Sequence, residues 1–445
     1  MVFQNINIFS KNFIINLLMP IIPLSYIAGN MVLNINVIII ILLTFLFYGK
    51  DVLSQKLSQI DKIILFLFTY IFFNGLLNNF LNFNFTDIAA ENLVLKKTLL
   101  YLRLFLFYFV LRYLIKKEII NYKFLFFSFG FFVLFVSLDI LIQFIFGKDI
   151  FGYEGSGRRL SGPFGGEYVA GSFLQRYSLF AIFSFIIFFN FKKKITFELS
   201  VFFLILIIAL SIILAGNRVP LVMFILMLCA SFLFQKELRR IFLFLIIMIA
   251  LFLSYLSATS ESYHAHYAGF KQKGSQILYY LKDKISGQEI IIPEVAQRNS
   301  YIKELETGFA TSKSNLTFGG GVRSFYWNCS KIDTKLLTEI NKLGGCNSHP
   351  HNYYLEIVSN LGLFGLFLIS LLFLRIIYQF FKFLFSHKNN SKKNLAIPLF
   401  IIFLAEIFPL KTSGSFFTTT NSVFLFFVIA FIVSLTEYKT DLKNL

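Results

Sequence analysis

A chain of 445 residues that is 57% hydrophobic, with 62 phenylalanines and only 14% charged side chains, carries more apolar surface than a soluble core can bury, so its solvent must be largely lipid. The formal net charge of +18 does not mark a nucleic-acid binder, because the cations fall in short clusters between apolar runs, the pattern of topology determinants. Lysines outnumber arginines 30 to 11, so the few arginines outside those clusters stand out.

Twelve spans are predicted, near 12–29, 31–48, 62–80, 97–115, 123–147, 172–191, 197–215, 219–235, 241–259, 352–385, 394–411 and 416–436, from apolar runs long enough to cross a bilayer as helix. The run 352–385 is too long for one simple span and reads as a helix continuing beyond the membrane. The expected fold class is an all-α polytopic membrane protein: one integral domain over residues 1–445, with residues 260–351 inserted as a large helical loop. The first run starts near Phe13 and flows into the next without a small-residue cleavage site, so no cleavable leader is expected. Alternate loops hold Lys50, Lys56 and Lys62; Lys116 and Lys117; Lys192, Lys193 and Lys194; Lys236, Arg239 and Arg240; and Lys388, Lys392 and Lys393. The positive-inside bias places these loops and both termini in the cytoplasm, and 81–96, 148–171, Gly216-Asn217 and 260–351 on the other side.

In chain order, the first candidates are Arg103 and Asp139, roughly 9 and 12 Å inside the external boundary at 1.5 Å per residue. They share a depth, and read either as a buried structural pair or as a functional intramembrane site. The loop Gly157-Arg158-Arg159-Leu160-Ser161-Gly162-Pro163 joins two arginines to a glycine-rich turn, which suits a phosphate near backbone amides and equally an ordinary turn. Arg218, in Gly216-Asn217-Arg218-Val219-Pro220, sits where one span gives way to the next. Pro220 fits the first turn of a helix, so Arg218 lies near a helix N-terminus, whose free N–H groups favour an anion. The alternative is a cation snorkelling to head groups. Cys229, in an apolar run, reads as a small core residue.

Residues 260–351 gather His264, His266, His349, His351, Cys329, Cys346 and the only tryptophan, Trp327. Helix is expected from Glu294 to Phe309, a break at Gly319-Gly320-Gly321, and helix again from Lys331 to Leu343, ended by Gly344-Gly345. Arg298 opens the first helix and Arg323 follows the triple glycine. Guanidinium forks suit phosphate oxygens, although each arginine alone also reads as a solvated charge. In an oxidising compartment Cys329 and Cys346 can bridge. His351 stands where the chain re-enters the membrane, and a neutral imidazole there can accept a proton; a structural histidine is the alternative. Asn352, Tyr354 and Glu356 follow, with Glu356 five residues on, a poor helical facing for a direct bond to His351. The two His-x-His pairs have few carboxylates beside them, so no metal site and no cofactor is assigned. The absence of any Asp-x-Asp argues against an enzyme holding a nucleotide-sugar diphosphate through a divalent ion. Glu406 and Lys411, near the last external turn, receive no role.

Four segments together resemble the O-antigen ligase and polymerase superfamily over roughly residues 150–410. His351-Asn352-Tyr353-Tyr354-Leu355 with Leu361-Gly362-Leu363-Phe364-Gly365 resembles its re-entry motif. Gly216-Asn217-Arg218 resembles its small-Ser-Arg boundary, with Asn217 where serine is more usual. Arg159-Leu160-Ser161-Gly162-Pro163-Phe164 resembles an external Arg-x-(Ser/Thr)-Gly-x-Phe stretch, and Arg298 with Phe318-Gly319-Gly320-Gly321 and Phe325 resembles its loop pattern.

The resemblance implies a GT-C-like helical scaffold and a metal-independent, inverting glycosyltransferase in the bacterial inner membrane. Its donor would be an undecaprenyl-diphosphate-linked glycan on the periplasmic face, and its acceptor lipid-anchored or itself a glycan. It assigns the diphosphate to Arg218 and Arg298, with Arg159 beside them, and acceptor activation to His351. Asn352, Glu356, Arg323, Arg103 and Asp139 remain supporting candidates. A ligase acting on lipid A-core is expected first and a polymerase second. A lipid-linked glycan transporter is the reading of another class, and the sequence shows neither the repeats nor the broken helices expected of one.

Overall fold

The computed structural model describes residues 10–80, 88–156, 159–189, 192–235, 239–259, 261–286, 300–313, 315–329, 346–386, 390–411 and 414–437. Among them the chain is helical, with two isolated β-bridges and no strand. The helices are α1 (Lys11–Leu18), α2 (Ile21–Ile27), α3 (Asn30–Leu53), α4 (Gln59–Phe80), α5 (Ile88–Lys116), α6 (Tyr122–Phe146), α7 (Ala170–Phe188), α8 (Lys194–Leu214), α9 (Arg218–Phe234) and α10 (Arg239–Thr259). The loop then adds α11 (Glu261–Ser286), α12 (Ser300–Lys313) and α13 (Phe325–Cys329), and the chain returns through α14 (Tyr353–Ser386), α15 (Asn390–Glu406) and α16 (Thr419–Thr436).

Local chemistry fixes several ends. Asn121 accepts from Phe124 N at 3.0 Å to cap α6, and Gly147, at φ 78°, ends it in the left-handed conformation that glycine tolerates. Among the described residues nine helices are long and apolar enough to cross a membrane. The remaining three predicted spans fall on shorter helices: α1 with α2, α9, and α15, which holds Pro398. The structure is thus that of a polytopic helical membrane protein. α16 forms its centre, with 78% of its apolar window buried, whereas α10 and α3 lie at the rim with 28% and 33%. Cys229 is exposed on α9, so it faces outward and is not a core residue.

The two ends of the bundle differ. At the lysine-rich end, Arg112 on α5 binds Asp61 on α4 at 2.9 Å and Glu437 at 2.6 Å, and Lys116 reaches Glu437 at 3.2 Å. At the other end meet the loops expected outside: Asn217 donates to Tyr168 O at 2.9 Å, and Asn352 to Pro409 O at 2.8 Å.

α14 is not the single long helix the sequence suggested. It breaks at Gly362, φ 68°. An unbroken helix would bond Leu363 N to Ser359 O and Phe364 N to Asn360 O. Instead residues 316–321 supply partners for all four groups. Gly320 N donates to Ser359 O (3.1 Å) and Gly321 N to Asn360 O (2.8 Å), while Leu363 N donates to Leu316 O (2.8 Å) and Phe364 N to Thr317 O (3.2 Å). A break inside a membrane protein is tolerated when such groups find protein partners. α4 seats this inserted loop with a polar stripe one turn apart: Tyr70 bonds Leu361 O at 2.6 Å, Asn74 donates to Phe318 O at 2.5 Å and Asn78 to Gly319 O at 3.2 Å. The backbones meet so closely that a Cβ on Gly319 would collide with the main chain of Asn360 and Leu361. That contact is the physical reason for glycine here.

Candidate functional site at the re-entry end

His351 is half-buried and adopts φ 47°. Only three described residues other than glycine have positive φ, and two of them are His351 and Arg323 (φ 64°), both candidates from the sequence. Such conformations cost about 1–3 kcal/mol and persist where the surroundings impose them, often at functional sites. Immediately after His351, Asn352 caps α14: its Oδ1 accepts from Tyr354 N at 3.0 Å and Leu355 N at 3.2 Å. Its Nδ2 holds the segment after α15, so Asn352 orients the turn that carries His351. The His349 ring lies 4.2 Å from that of His351.

Glu356 does not face His351. Its carboxylate is buried and accepts from Ser415 Oγ at 2.5 Å and Phe416 N at 2.6 Å, clamping the segment before α16. Arg218 is the first residue of α9, with Pro220 in the first turn. Its guanidinium reaches α11: a Cβ on Gly269 would lie 3.8 Å from Nη2. Arg159 lies 5.9 Å over the ring of Tyr168, whose carbonyl holds Asn217, so its loop packs against the turn that carries Arg218. Arg298 lies outside the described residues, as does the expected helix Lys331–Leu343. α11 was not expected from the sequence. Cys329 and Cys346 are joined, with Cα atoms 5.9 Å apart, tying α13 to the segment that leads to His351.

Arg103 and Asp139 do not pair. Asp139 accepts from Ile150 N at 2.9 Å and fastens the loop that follows α6. Arg103 donates to Asn34 Oδ1 at 2.6 Å and Thr419 Oγ1 at 3.0 Å. It lies instead with Arg323 in one cavity of about 420 Å³, together with Lys97.

The sequence reading missed Arg176. On α7 it is buried, and binds Glu406 at 2.9 and 3.1 Å, Tyr26 at 3.2 Å and Asn421 at 2.6 Å, while Lys411 binds Glu406 at 2.9 Å. A charge inside a predicted span, 172–191, was the available signal, and it gives Glu406 and Lys411 their role.

Fold and site together define a multi-pass membrane protein that sets Arg218 and the strained His351 and Arg323 at the end of its bundle opposite the lysine-rich one. The sequence model of the O-antigen ligase family matches residues 202–370, supporting the O-antigen ligase and polymerase superfamily. The match takes in Arg218, Arg298, Arg323 and the whole His351-Asn352 turn, and does not reach Arg103, Asp139, Arg159 or Arg176. No curated protein matches the chain.

Proposed function

We propose that the protein transfers a glycan from an undecaprenyl-diphosphate carrier to an acceptor hydroxyl at the periplasmic face of the bacterial inner membrane, as an O-antigen ligase-type enzyme. The observation that carries this reading is the family match over the segment that holds Arg218 and the His351-Asn352 turn. In the reaction, His351 takes the proton of the acceptor hydroxyl as its oxygen attacks the anomeric carbon. The bond from that carbon to the diphosphate breaks, and the electron pair leaves on a diphosphate oxygen. A single displacement of this kind inverts the anomeric centre. Arg218 and Arg298 stabilise the charge that develops on the leaving group, so the reading needs no metal. In this reading the loop shields the donor, and water kept away from the donor is water that cannot hydrolyse it.

A polymerase, which would extend a second lipid-linked glycan, shares every donor feature. The broken α14 does not form an open transporter site, since its four freed backbone groups are bonded to the inserted loop. The test is purified protein with a defined lipid-linked glycan and candidate acceptors, scored for new glycoconjugate. His351→Ala lowers turnover by roughly 10²–10⁴ with donor binding near normal, and His349→Ala has much less effect. Arg218→Lys remains impaired, because lysine keeps charge but loses the fork. A sensitive His349 with a tolerant His351 overturns the base assignment, and loss of activity on chelation revives a metal mechanism.

A further inference from the structure

We propose that the cavity between α3 and α5 binds a phosphate-bearing lipid, the head group on Lys97, Arg103 and Arg323 and the chain along the aliphatic faces of the two helices. Three cations line this space, and no carboxylate is among its described lining residues. Elsewhere in the bundle, buried arginines are closed by carboxylates, as Arg112 is by Asp61 and Arg176 by Glu406. Among the described residues Arg103 is held only by neutral acceptors, Asn34, Thr419 and the Leu100 carbonyl, which aim the guanidinium without neutralising it. Its Nε is buried and bonds nothing among the described residues. Like charges gathered in a half-enclosed space repel unless an anion joins them, and guanidinium groups suit phosphate oxygens.

The walls identify the rest of the ligand. Ile38 and Leu100 line the mouth at 43% and 48% exposure. Ile35 and Leu42 continue the exposed stripe on α3, and Leu99 and Leu106 that on α5. In a bilayer these side chains meet hydrocarbon, so the cavity joins a basic pocket to a lipid-facing cleft. A free phosphate would use only the first, and a phospholipid or polyprenyl phosphate uses both. The volume of about 420 Å³ admits a phosphate head with its first attached group. Most of the lining, Asn30 to Ile38, Lys97 to Arg103 and Phe417 to Thr419, lies outside the segment matched by the ligase family. The site is built mostly by α3, α5 and the turn before α16, and neither Arg218 nor His351 is among its described lining residues. Its use as the station of a second lipid substrate rests on the transferase reading above; the binding itself does not.

The experiment is a titration of full-length protein, in phosphatidylcholine nanodiscs, with fluorescent dioleoyl phosphatidic acid. Binding is expected to saturate, and to resist inorganic phosphate and unlabelled phosphatidylcholine at equal concentration. Lys97→Gln, Arg103→Gln and Arg323→Gln each weaken it by about tenfold or more, as loss of one charged hydrogen bond implies. Leu100→Trp, which narrows the mouth without changing charge, weakens it too, and Arg218→Ala does not. Wild-type binding in the three glutamine variants overturns the proposal, as does loss of binding in Arg218→Ala alone. Displacement by inorganic phosphate overturns the lipid assignment. No turnover is measured, so failure here is distinct from failure of the transferase reading.

Discussion

Arg176 and Arg103 are both arginines inside membrane helices, and their surroundings are opposite. Arg176 is closed on every side: Glu406 takes a forked bond, Asn421 and Tyr26 take the remaining contacts, and Lys411 shares the carboxylate. Among the described residues Arg103 meets only neutral oxygens, and it opens into a cavity with two other cations. A charge whose partners are all protein holds helices together. One whose partners are neutral and whose neighbours are cations is poised for an anion from outside the chain.

Substitutions probe that contrast from both sides. Arg176→Ala leaves a buried carboxylate with half its partners, so it should cost about 3–5 kcal/mol, read as a lower midpoint in thermal unfolding of the detergent-purified protein. An unchanged midpoint would mean that this cluster does not clasp α7 to α15. Gly319→Ala should cost about 3 kcal/mol, because the new methyl group meets backbone that cannot rotate away. It should also displace Arg323 and weaken lipid binding at the cavity. Gly166→Ala, where a Cβ meets nothing within 4 Å, is the control and should stay within about 0.5 kcal/mol. Equal behaviour of the two variants would break the account of the inserted loop.

Cys329→Ser opens a loop with a sequence separation of 17 and should cost up to about 3 kcal/mol in the chain-entropy model. Mass spectrometry of unreduced, alkylated protein checks the bond directly: both cysteines alkylated without reduction would reject it. Apart from the Gly166→Ala control, the smallest effect belongs to Arg103→Gln, expected within about 1 kcal/mol of wild type, since it removes charge but no ion pair. A loss as large as that of Arg176→Ala would make Arg103 a structural residue and undo the contrast.

Much of the architecture was legible because lipid imposes a simple code. A long apolar run with lysines after every second one reads as a helix and a side, and the described parts of the predicted runs lie largely on helix. Segments held by tertiary bonds were harder. Ser359 and Asn360 precede Gly362, but a serine, an asparagine and a glycine do not by themselves set a break, and this one is held by residues 316–321, which arrive from far along the chain to take its bonds. Tyr70, Asn74 and Asn78 received no role from the sequence, because their partners lie in the same distant segments. Arg103 and Asp139 were matched by depth alone, and depth says nothing of azimuth: the two side chains point to different neighbours. At the site, His351 and Arg218 stood out as rare residue types at membrane boundaries, and Arg323 as an arginine after the triple glycine of the loop. Arg176 escaped because its partners, Tyr26, Glu406 and Asn421, come from three distant helices.

The interlocking at Gly362 also bears on biogenesis. Residues 316–321 leave the ribosome before residues 359–364, so the amides of Gly320 and Gly321 have no lasting partners until α14 has entered the membrane. The loop between α10 and α14 therefore matures after the helix that follows it, and α4, made much earlier, must wait with its tyrosine and asparagines unfilled. Excised from the chain, that loop would lose the strand-like register that fixes Arg323, so it is better regarded as the last piece of the membrane bundle to close than as an appendage beside it.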